Sequence, residues 1–266
     1  MNGYQWQFAT VFDNLDVLAV GALGTLKLFV ICAFAGLSLG LAVGVARYAG
    51  GRMTRLLAGA FVEFFRNTPV LVQILWFYFA LPMLVPLDIS PMLAAALGIS
   101  LNSAAFSAEI YRGGIRSIEP GQWEGAQALG MTRAQALRRV VLPQALRRML
   151  PPLTNRGIEI FKMSTLASVV AYVELLQQGK LLASLYFNPI EIYTVIAGMF
   201  LLGLLPLVQA TYALERRLAR SDRCRTRQSL HQASTVARPP WRRCCACAAC
   251  TSALARWRCC GASIWT

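Results

Sequence analysis

Two pairs of oppositely charged residues stand inside largely apolar stretches of this chain. Glu63 and Arg66 form one pair and Glu159 and Lys162 the other, both at a spacing of i, i+3. That spacing places the two side chains of a pair on one helix face, where they can neutralise each other. Charged side chains in a membrane cost roughly 2.5–3.5 kcal/mol each and usually face a pathway or a partner. The pairs therefore either line a path through the membrane or stabilise the fold at the membrane edge.

Polar residues beside these pairs extend the candidate path. The dipeptide Thr68-Pro69 predicts a break in the helix that carries Arg66, which would leave backbone groups free to line a cavity. Thr165 and Ser168, again at i, i+3, are further candidates. The predicted translocation path thus consists of Glu63, Arg66, Thr68, Pro69, Glu159, Lys162, Thr165 and Ser168.

One hydrolase-like pattern, Gly36-Leu-Ser38-Leu-Gly40, does not indicate an active site. The nucleophile turn with this spacing joins a strand to a helix and needs a histidine, whereas here it lies in an apolar run and the sole histidine is His231. Gly36, Gly40 and Gly44 recur every four residues, a pattern typical of closely packed membrane helices. We therefore predict helix packing here, and no catalytic residue in the chain.

Nucleotide and metal sites are also not predicted for the body of the chain. Gly179-Lys180 lacks the upstream glycine and the following Ser or Thr of a phosphate-binding loop, and no complete loop of that kind occurs. The chain is thus predicted to be no enzyme and to hold no cofactor, so that any energy for transport comes from a partner.

Composition indicates that the elements positioning these residues are membrane helices. The chain has 266 residues, of which 56% are hydrophobic and 14% charged, against roughly 25% charged in soluble domains. About 20 apolar residues are needed to cross the hydrocarbon core. Four runs of 19 to 23 residues contain no charge: Leu28–Ala46, Pro69–Leu87, Ile89–Ala108 and Ile192–Leu214. A fifth, less uniform span is predicted from about Pro152 to Leu176, which gives an all-α membrane protein with about five transmembrane helices.

The distribution of basic residues predicts the orientation. Residues 1–16 contain no Lys or Arg, whereas seven arginines lie between Arg112 and Arg148. Because short cytoplasmic loops are enriched in basic residues, we expect the N-terminus outside and the C-terminus in the cytoplasm. The predicted division is an extracytoplasmic segment 1–16, a transmembrane domain 17–220 with a cytoplasmic region 112–148 inside it, and a tail 221–266.

The net charge of +14 does not indicate nucleic-acid binding. Residues 1–222 carry 18 basic and 12 acidic residues, and the basic ones lie where membrane topology requires them. Residues 223–266 add eight arginines, no acid and seven of the eight cysteines. We predict that this Arg/Cys-rich tail is disordered. Three interpretations remain: an unselected extension such as a GC-rich gene read out of frame, a basic tail, or a metal site around the Cys247/Cys250 pair.

A polar segment between the apolar runs has the features of a helix-turn-helix. Pro120 suits the first turn of a helix, and Gly130 suits the left-handed residue that ends one. Thr132 and Gln135 have the spacing of a capping box that starts a second helix, which Pro143 is expected to end. Ala134, Leu137 and Val141 would form the apolar stripe of that helix. By itself this pattern fits a docking helix or an amphipathic helix at the lipid surface.

The complete spacing of this segment resembles a known motif. Glu124-Gly125-Ala126, then Gly130, Val140 and Leu142-Pro143 follow the E-A-A-x3-G-x9-I-x-L-P pattern of the EAA loop in ABC importer permeases. Gly125 replaces an alanine of the motif, and Val140 an isoleucine. Two further stretches, Glu63–Gln73 and Ala108–Ile115, resemble segments of the polar amino acid permeases. Residues 10–220 are covered by this resemblance.

The resemblance implies a type I ABC importer permease that takes up a polar amino acid of the glutamate/aspartate or glutamine class. Its implied partners are cytoplasmic ABC ATPase subunits that bind ATP, a second permease of the same or a related chain, an extracytoplasmic solute-binding protein and membrane lipid. Residues Glu124 to Pro143 would couple ATP hydrolysis in the partner to transport. The alternatives are a secondary transporter, which would be expected to show two inverted halves, and a stand-alone membrane protein with an interfacial amphipathic loop.

Overall fold

The computed structural model describes residues 8–85 and 88–236, and in this part the chain forms helices and turns but no strand. The all-α class is therefore confirmed. The helices in chain order are α1 (Ala9–Phe12), α2 (Leu15–Ala49), α3 (Arg52–Asn67), α4 (Val70–Leu75), α5 (Leu81–Leu84), α6 (Pro91–Arg116), α7 (Pro120–Ala128), α8 (Arg133–Ala136), α9 (Leu142–Met163), α10 (Leu175–Tyr186) and α11 (Pro189–Val236). Two π-helical segments, Trp76–Ala80 and Leu137–Val141, and a 3-10 segment, Ser164–Val170, connect some of them.

The long apolar helix α2 packs lengthwise against α6 through its glycines. A Cβ atom added to Gly36 would lie 2.7 Å from the Cβ of Ser103, and one added to Gly40 would lie 2.6 Å from the Cβ of Ser107. Gly44 lies slightly less close to α6, with its added Cβ 3.0 Å from the carbonyl oxygen of Ala108. The every-fourth-residue pattern thus brings two backbones together, and the interpretation of this motif as helix packing is confirmed.

The chain bends sharply at Thr68-Pro69, as the sequence predicts. Helix α3 ends at Asn67, and the segment Val70–Leu84 leaves it at an angle of 103°. Proline provides no N–H to continue the helix, and Thr68 is extended with φ −90° and ψ 130°. The two arms therefore form one broken span or a re-entrant loop.

Hydropathy and length single out fewer spans than the sequence analysis expects. Within the described residues, Leu15–Ala49, Pro91–Arg116 and Pro189–Arg216 are long and apolar enough to cross a membrane, and the bent pair brings the number to four. The fifth predicted span, Pro152 to Leu176, is not one helix. Helix α9 ends at Met163, the 3-10 segment follows, and Ala171 adopts a left-handed conformation with φ 54°.

Two apolar clusters hold the helices together. The first joins α2, α4, α6, α9 and the 3-10 segment through Leu28, Ile74, Ile99, Ile160 and Val170, all 2% exposed or less. The second joins the start of α2 to α10 and α11 through buried leucines and isoleucines, among them Leu18, Leu182 and Ile192. These clusters fix α6 and α9 side by side, and the polar residues on these two helices form the site described below.

The C-terminal part belongs to a separate compact unit. Residues Met1–Leu214 form the first unit and Glu215–Thr266 the second. The backbone of α11 is helical to Val236, and the predicted disorder of the tail stays a prediction. Residues 237–266, which include the Cys247/Cys250 pair, lie outside the described residues.

Candidate functional site

A buried arginine on α9 lies at the centre of the polar contacts between α6 and α9. Arg156 is 3% exposed and donates to Glu159 Oε2 at 2.6 Å, to Asn102 Oδ1 at 2.8 Å and to Ser103 Oγ at 3.3 Å. Its guanidinium carbon lies 4.4 Å from the centroid of the Phe106 ring. These contacts replace much of the water that a guanidinium loses on burial, and they fix Arg156 against α6. We call Asn102, Ser103, Phe106, Arg156 and Glu159 the Arg156 cluster.

One predicted path residue from another helix reaches the same aromatic ring. Arg66, on the exposed end of α3, has its guanidinium carbon 5.1 Å from the centroid of Phe106. Glu159, which Arg156 holds in place, keeps 56% of its side chain exposed. The Phe106 ring therefore contacts two guanidinium groups, the accessible one of Arg66 and the buried one of Arg156, and Arg156 in turn holds the accessible carboxylate of Glu159.

The bend between α3 and α4 is tied to this cluster by hydrogen bonds. Asn102 Nδ2 donates to the carbonyl oxygen of Phe65 at 2.8 Å, and Gln73 Nε2 donates to the carbonyls of Phe65 and Thr68, each at 2.9 Å. The carbonyls of Phe65 and Thr68 are therefore occupied by side chains, and whether other backbone groups at the break line a cavity stays a prediction. Asn102 Oδ1 accepts a hydrogen bond from Arg156, so Asn102 links the bend directly to the buried guanidinium group.

The predicted self-neutralising pairs are wrong. None of the ion pairs among the described residues joins Glu63 to Arg66 or Glu159 to Lys162. Glu159 pairs instead with Arg156, three residues before it, and Glu63 accepts a hydrogen bond from Asn67 Nδ2 at 3.3 Å. The i, i+3 spacing allows Glu159 to pair with either Arg156 or Lys162. It pairs with Arg156 because a buried charge requires a counter-charge more than the exposed Lys162 does.

The hydrogen bonds of the remaining path candidates go to residues outside the Arg156 cluster. Thr165 donates to the carbonyl of Lys162 at 2.8 Å, a local helix contact. Ser168 is 6% exposed and accepts from Lys180 Nζ at 2.9 Å, which ties the 3-10 segment to α10. Lys162 and Pro69 are exposed. Of the predicted set, the structure links Arg66 to Glu159 only indirectly, through Phe106 and Arg156. Thr68 is linked to Arg156 through Gln73, the Phe65 carbonyl and Asn102.

Sequence reasoning missed four of the five members of the Arg156 cluster: Asn102, Ser103, Phe106 and Arg156. Arg156 lies in the predicted fifth span, and Asn102 lies in the uncharged run Ile89–Ala108. The sequence does contain a signal for Arg156. This arginine lies three residues before Glu159 in a largely apolar stretch, where an arginine requires a partner of opposite charge. Asn102 gave no such signal, since its contact with Arg156 joins residues 54 positions apart.

The second candidate site is the turn-linked helix pair that contains Glu124 to Pro143. Helix α7 begins with Pro120 and ends before Gly130, whose φ of +76° is the left-handed conformation expected for a helix-ending glycine. Thr132 accepts from the Gln135 backbone at 3.3 Å, and the Gln135 side chain accepts from the Thr132 backbone at 3.0 Å. The predicted start, stop and capping box are therefore confirmed.

The end of the second helix differs from the prediction. Pro143 does not end it, because the chain continues through the π-helical segment Leu137–Val141 into α9, where Pro143 occupies the first turn. A wider π turn tolerates the missing N–H of proline. The predicted apolar stripe is also shifted: Ala134 is exposed, and Ala136 and Val141 are the residues fully buried. The EAA-like segment thus leads rigidly into the helix that carries Arg156.

An apolar cluster supports this pair from one side only. Ile115, Ile118, Val141, Ala145 and Met149 are buried there, with Trp123 and Leu137 packed against them. Ala126 also points inward, at 4% exposure. The opposite side carries the exposed residues Glu124, Gly125, Leu129, Gly130, Arg138, Arg139, Leu142 and Pro143, with Val140 half-buried at the edge. We call this exposed set the coupling surface; its Leu129 is 79% exposed.

These features together define a class of protein. A bundle of apolar helices with a broken span, charged residues between helices and a rigidly supported polar helix pair is the arrangement of a membrane transport subunit. Residues 36–220 match the family described as binding-protein-dependent transport system inner membrane component. The chain belongs to this family, and it is a membrane protein.

Curated relatives agree with the family match. The chain is 40% identical over 215 residues to the glutamine transport system permease protein GlnP of Escherichia coli (strain K12), a match that covers 80% of this chain and 98% of that protein. It is 35% identical over 211 residues to the probable glutamine ABC transporter permease protein GlnM of Bacillus subtilis (strain 168), covering 79% and 97%.

Solved structures with the same fold include a crystal structure of an amino acid ABC transporter with histidines. The match has a TM-score of 0.76 and 32% identity, and covers 80% of this chain and 100% of that chain. A structure of the MetNI methionine ABC transporter in an inward-facing conformation matches with a TM-score of 0.65 and 23% identity, covering 77% and 98%. The type I ABC importer permease fold predicted from the sequence is thereby confirmed.

Proposed function

We propose that this chain is the permease subunit of an ABC importer that takes up a polar amino acid, with glutamine as the first candidate. The permease names of the two relatives and their nearly complete coverage support the transporter class and the glutamine candidate. ATP is bound and hydrolysed by partner ATPase subunits, and a solute-binding protein delivers the amino acid from outside. A second permease, of the same or a related chain, completes the membrane part, with the N-terminus of each on the outer side.

The observation that carries this proposal is the exposed Glu159 carboxylate held by the buried Arg156. Its 2.6 Å contact with Arg156 fixes the carboxylate while 56% of the side chain stays accessible. An ammonium group of a passing amino acid would bind Glu159, and its carboxylate would bind the accessible guanidinium of Arg66. The Glu159 carboxylate is held in place before the solute arrives, which lowers the entropic cost of binding.

Uptake by the complete complex with a matched pair of carboxylate substitutions tests this role. Glu159→Gln removes the proposed ammonium partner, and Glu63→Gln removes an exposed carboxylate whose described hydrogen bond is to Asn67 alone. We expect the KM for glutamine to rise about tenfold in Glu159→Gln, as for loss of one charge-assisted hydrogen bond, and to stay within about twofold in Glu63→Gln. Equal effects of the two substitutions would contradict the assignment of Glu159.

The coupling surface is proposed as the docking site for the ATPase subunits. Its support by the apolar cluster leaves Glu124, Leu129 and Gly130 exposed on a rigid base, and a short helix presented in this way suits a groove in a partner. Movement of the ATPase would reach Arg156 through the continuous helical chain from Leu137 to α9. We infer that this connection transmits ATP-driven closure to the Arg156 cluster.

Co-purification with the ATPase subunits tests the docking site. The double substitution Glu124→Lys and Gly130→Pro reverses an exposed charge and removes the left-handed turn, so we expect loss of retained ATPase at equal membrane levels. Arg52→Gln, at the exposed start of α3 and outside the coupling surface, is the control and should retain the ATPase. Retention by the double variant at the level of the control would exclude this surface as the docking site.

A further inference from the structure

A cavity lined by four arginines lies at the end of the bundle where α2, α3 and α6 meet. It measures about 340 Å³ and is lined by Arg47, Tyr48, Arg55, Arg112 and Arg116. Arg47 is near the end of α2, Arg55 is in the first turn of α3, and the other two arginines are in the last two turns of α6. Three separate helices therefore direct basic side chains to one cavity.

Only part of this positive charge is balanced by the protein. Glu109 accepts from Arg47 at 2.6 Å and pairs with Arg112, and these three side chains are 18–28% exposed. Arg55 and Arg116 are exposed, and none of the ion pairs among the described residues includes either of them. The cavity thus holds a surplus of three positive charges around one carboxylate.

The arginines that pair with Glu109 and those that do not contribute differently to anion binding. The paired Arg47 and Arg112 are fixed by Glu109, so they form a pre-organised wall. Arg55 and Arg116 repel each other across the cavity unless an anion lies between them. Guanidinium groups form bidentate hydrogen bonds with phosphate, and the hydroxyl group of Tyr48 is an additional donor at this cavity. The chemistry of the cavity is therefore that of a phosphate site.

Apolar residues beside the cavity indicate the source of that phosphate. Met53, Leu56 and Leu57, on the same helix as Arg55, are 68%, 68% and 63% exposed. A free phosphate ion has no apolar group that could pack against this surface, whereas the acyl chains of a phospholipid would cover it. Basic pockets between membrane helices bind anionic lipid headgroups for the same reason.

We propose that this cavity, which we call the arginine cavity, binds the headgroup phosphate of an anionic phospholipid. The headgroup lies among Arg47, Arg55, Arg112 and Arg116, and the acyl chains lie along the exposed apolar face of α3. A lipid held here bridges α2, α3 and α6 and stabilises the first arm of the broken span.

Lipid binding to the full-length chain in neutral detergent micelles tests the proposal. Dioleoyl-phosphatidylglycerol, dioleoyl-phosphatidylcholine and inorganic phosphate are titrated in turn, at about 0.15 M salt so that unspecific attraction is screened. We expect saturable binding of one phosphatidylglycerol, at least tenfold weaker binding of phosphatidylcholine, and no competition by equimolar phosphate. Equal affinity for the two lipids would overturn the proposal, as would equimolar phosphate displacing the lipid, which would make the cavity a site for a free anion.

Matched double substitutions locate the bound lipid. Arg55→Gln with Arg116→Gln removes two guanidinium groups from the cavity but leaves the Glu109 ion pairs intact. We expect affinity for phosphatidylglycerol to fall about thirtyfold, which corresponds to about 1 kcal/mol for each of two basic residues. Arg52→Gln with Arg138→Gln removes the same charge from exposed positions outside the cavity, and should change affinity less than threefold. Equal losses in both double variants would overturn the site.

A charge-retaining variant separates the site from general attraction and from misfolding. Arg55→Lys with Arg116→Lys keeps both positive charges but loses the bidentate geometry. We expect a loss between those of the other two variants, together with an unchanged melting temperature in lipid-free micelles. Wild-type affinity in the lysine variant would show that only net charge matters, which would contradict a built phosphate site.

Discussion

The contact between α2 and α6 allows a quantitative prediction, because glycine packing fixes the distance between the two backbones. A methyl group added at Gly40 would lie 2.6 Å from the Cβ of Ser107 and 2.9 Å from the carbonyl oxygen of Ala104. Ordinary carbon–carbon contacts are about 3.5–4.0 Å. The two helices would therefore have to separate by roughly 1 Å over the most extensive packed contact of the bundle, and no flexible side chain is available to absorb the change.

The energetic cost of this overpacking is partly offset by the higher helix propensity of alanine compared with glycine. Overpacking of a well-packed contact typically costs about 1–3 kcal/mol, whereas replacing glycine by alanine in a helix gains up to about 1 kcal/mol. For Gly40→Ala we expect a net loss of about 1–2 kcal/mol. At about 2–4 °C per kcal/mol for a chain of this size, the melting temperature should fall by about 2–8 °C.

Thermal unfolding of the purified chain in one detergent, at one scan rate, measures this difference. Gly198→Ala on α11 is the matched control, because an added Cβ there has no neighbouring atom within 4 Å, and its melting temperature should be unchanged or higher. Gly44→Ala, with its nearest neighbour at 3.0 Å, should fall between the two. If Gly40→Ala is as stable as Gly198→Ala, the reasoning about close backbone packing is refuted.

Three further substitutions probe the two candidate sites. Arg156→Met should destabilise the chain by about 1–3 kcal/mol, since it leaves the buried Asn102 Oδ1 without its hydrogen-bond partner, whereas the Glu159 carboxylate is exposed to water; thermal unfolding measures this. Gly125→Ala restores the residue of the EAA motif at a position with no atom within 4 Å of an added Cβ. It should raise stability by about 0.5–1 kcal/mol and leave ATPase co-purification unchanged; loss of the ATPase would show that the partner requires glycine. Thr132→Ala removes the capping hydrogen bond, with an expected cost of about 1 kcal/mol in the same unfolding assay.

Features that depend on nearby residues were predicted well from the sequence. The helix break at Pro69, the left-handed Gly130 and the capping box of Thr132 and Gln135 each result from local backbone chemistry, which a single sequence displays directly. The Gly40 packing face is also a local pattern, since it repeats at helical spacing. The all-α membrane class follows from the apolar runs in the same way.

Features that depend on distant residues were predicted poorly. The sequence offers Glu159 two partners at i, i+3, Arg156 before it and Lys162 after it, and only the packing of α9 against α6 determines that Arg156 is the buried one. Asn102 could not be assigned because its role is a contact across 54 residues. Pro143 was misjudged for a related reason: a π-helical segment before it lets the helix continue, and local propensity does not predict such a segment.

ATP-dependent uptake by the reconstituted complex tests the central claim most directly. Proteoliposomes containing the chain, its ATPase subunits and its binding protein are supplied with labelled glutamine outside, and with or without ATP inside. The account predicts accumulation that requires internal ATP, and loss of both uptake and uptake-linked ATP hydrolysis in the Glu124→Lys, Gly130→Pro variant. Glutamine accumulation that continues without ATP and is unaffected by the double substitution would contradict it, and would favour a secondary transporter.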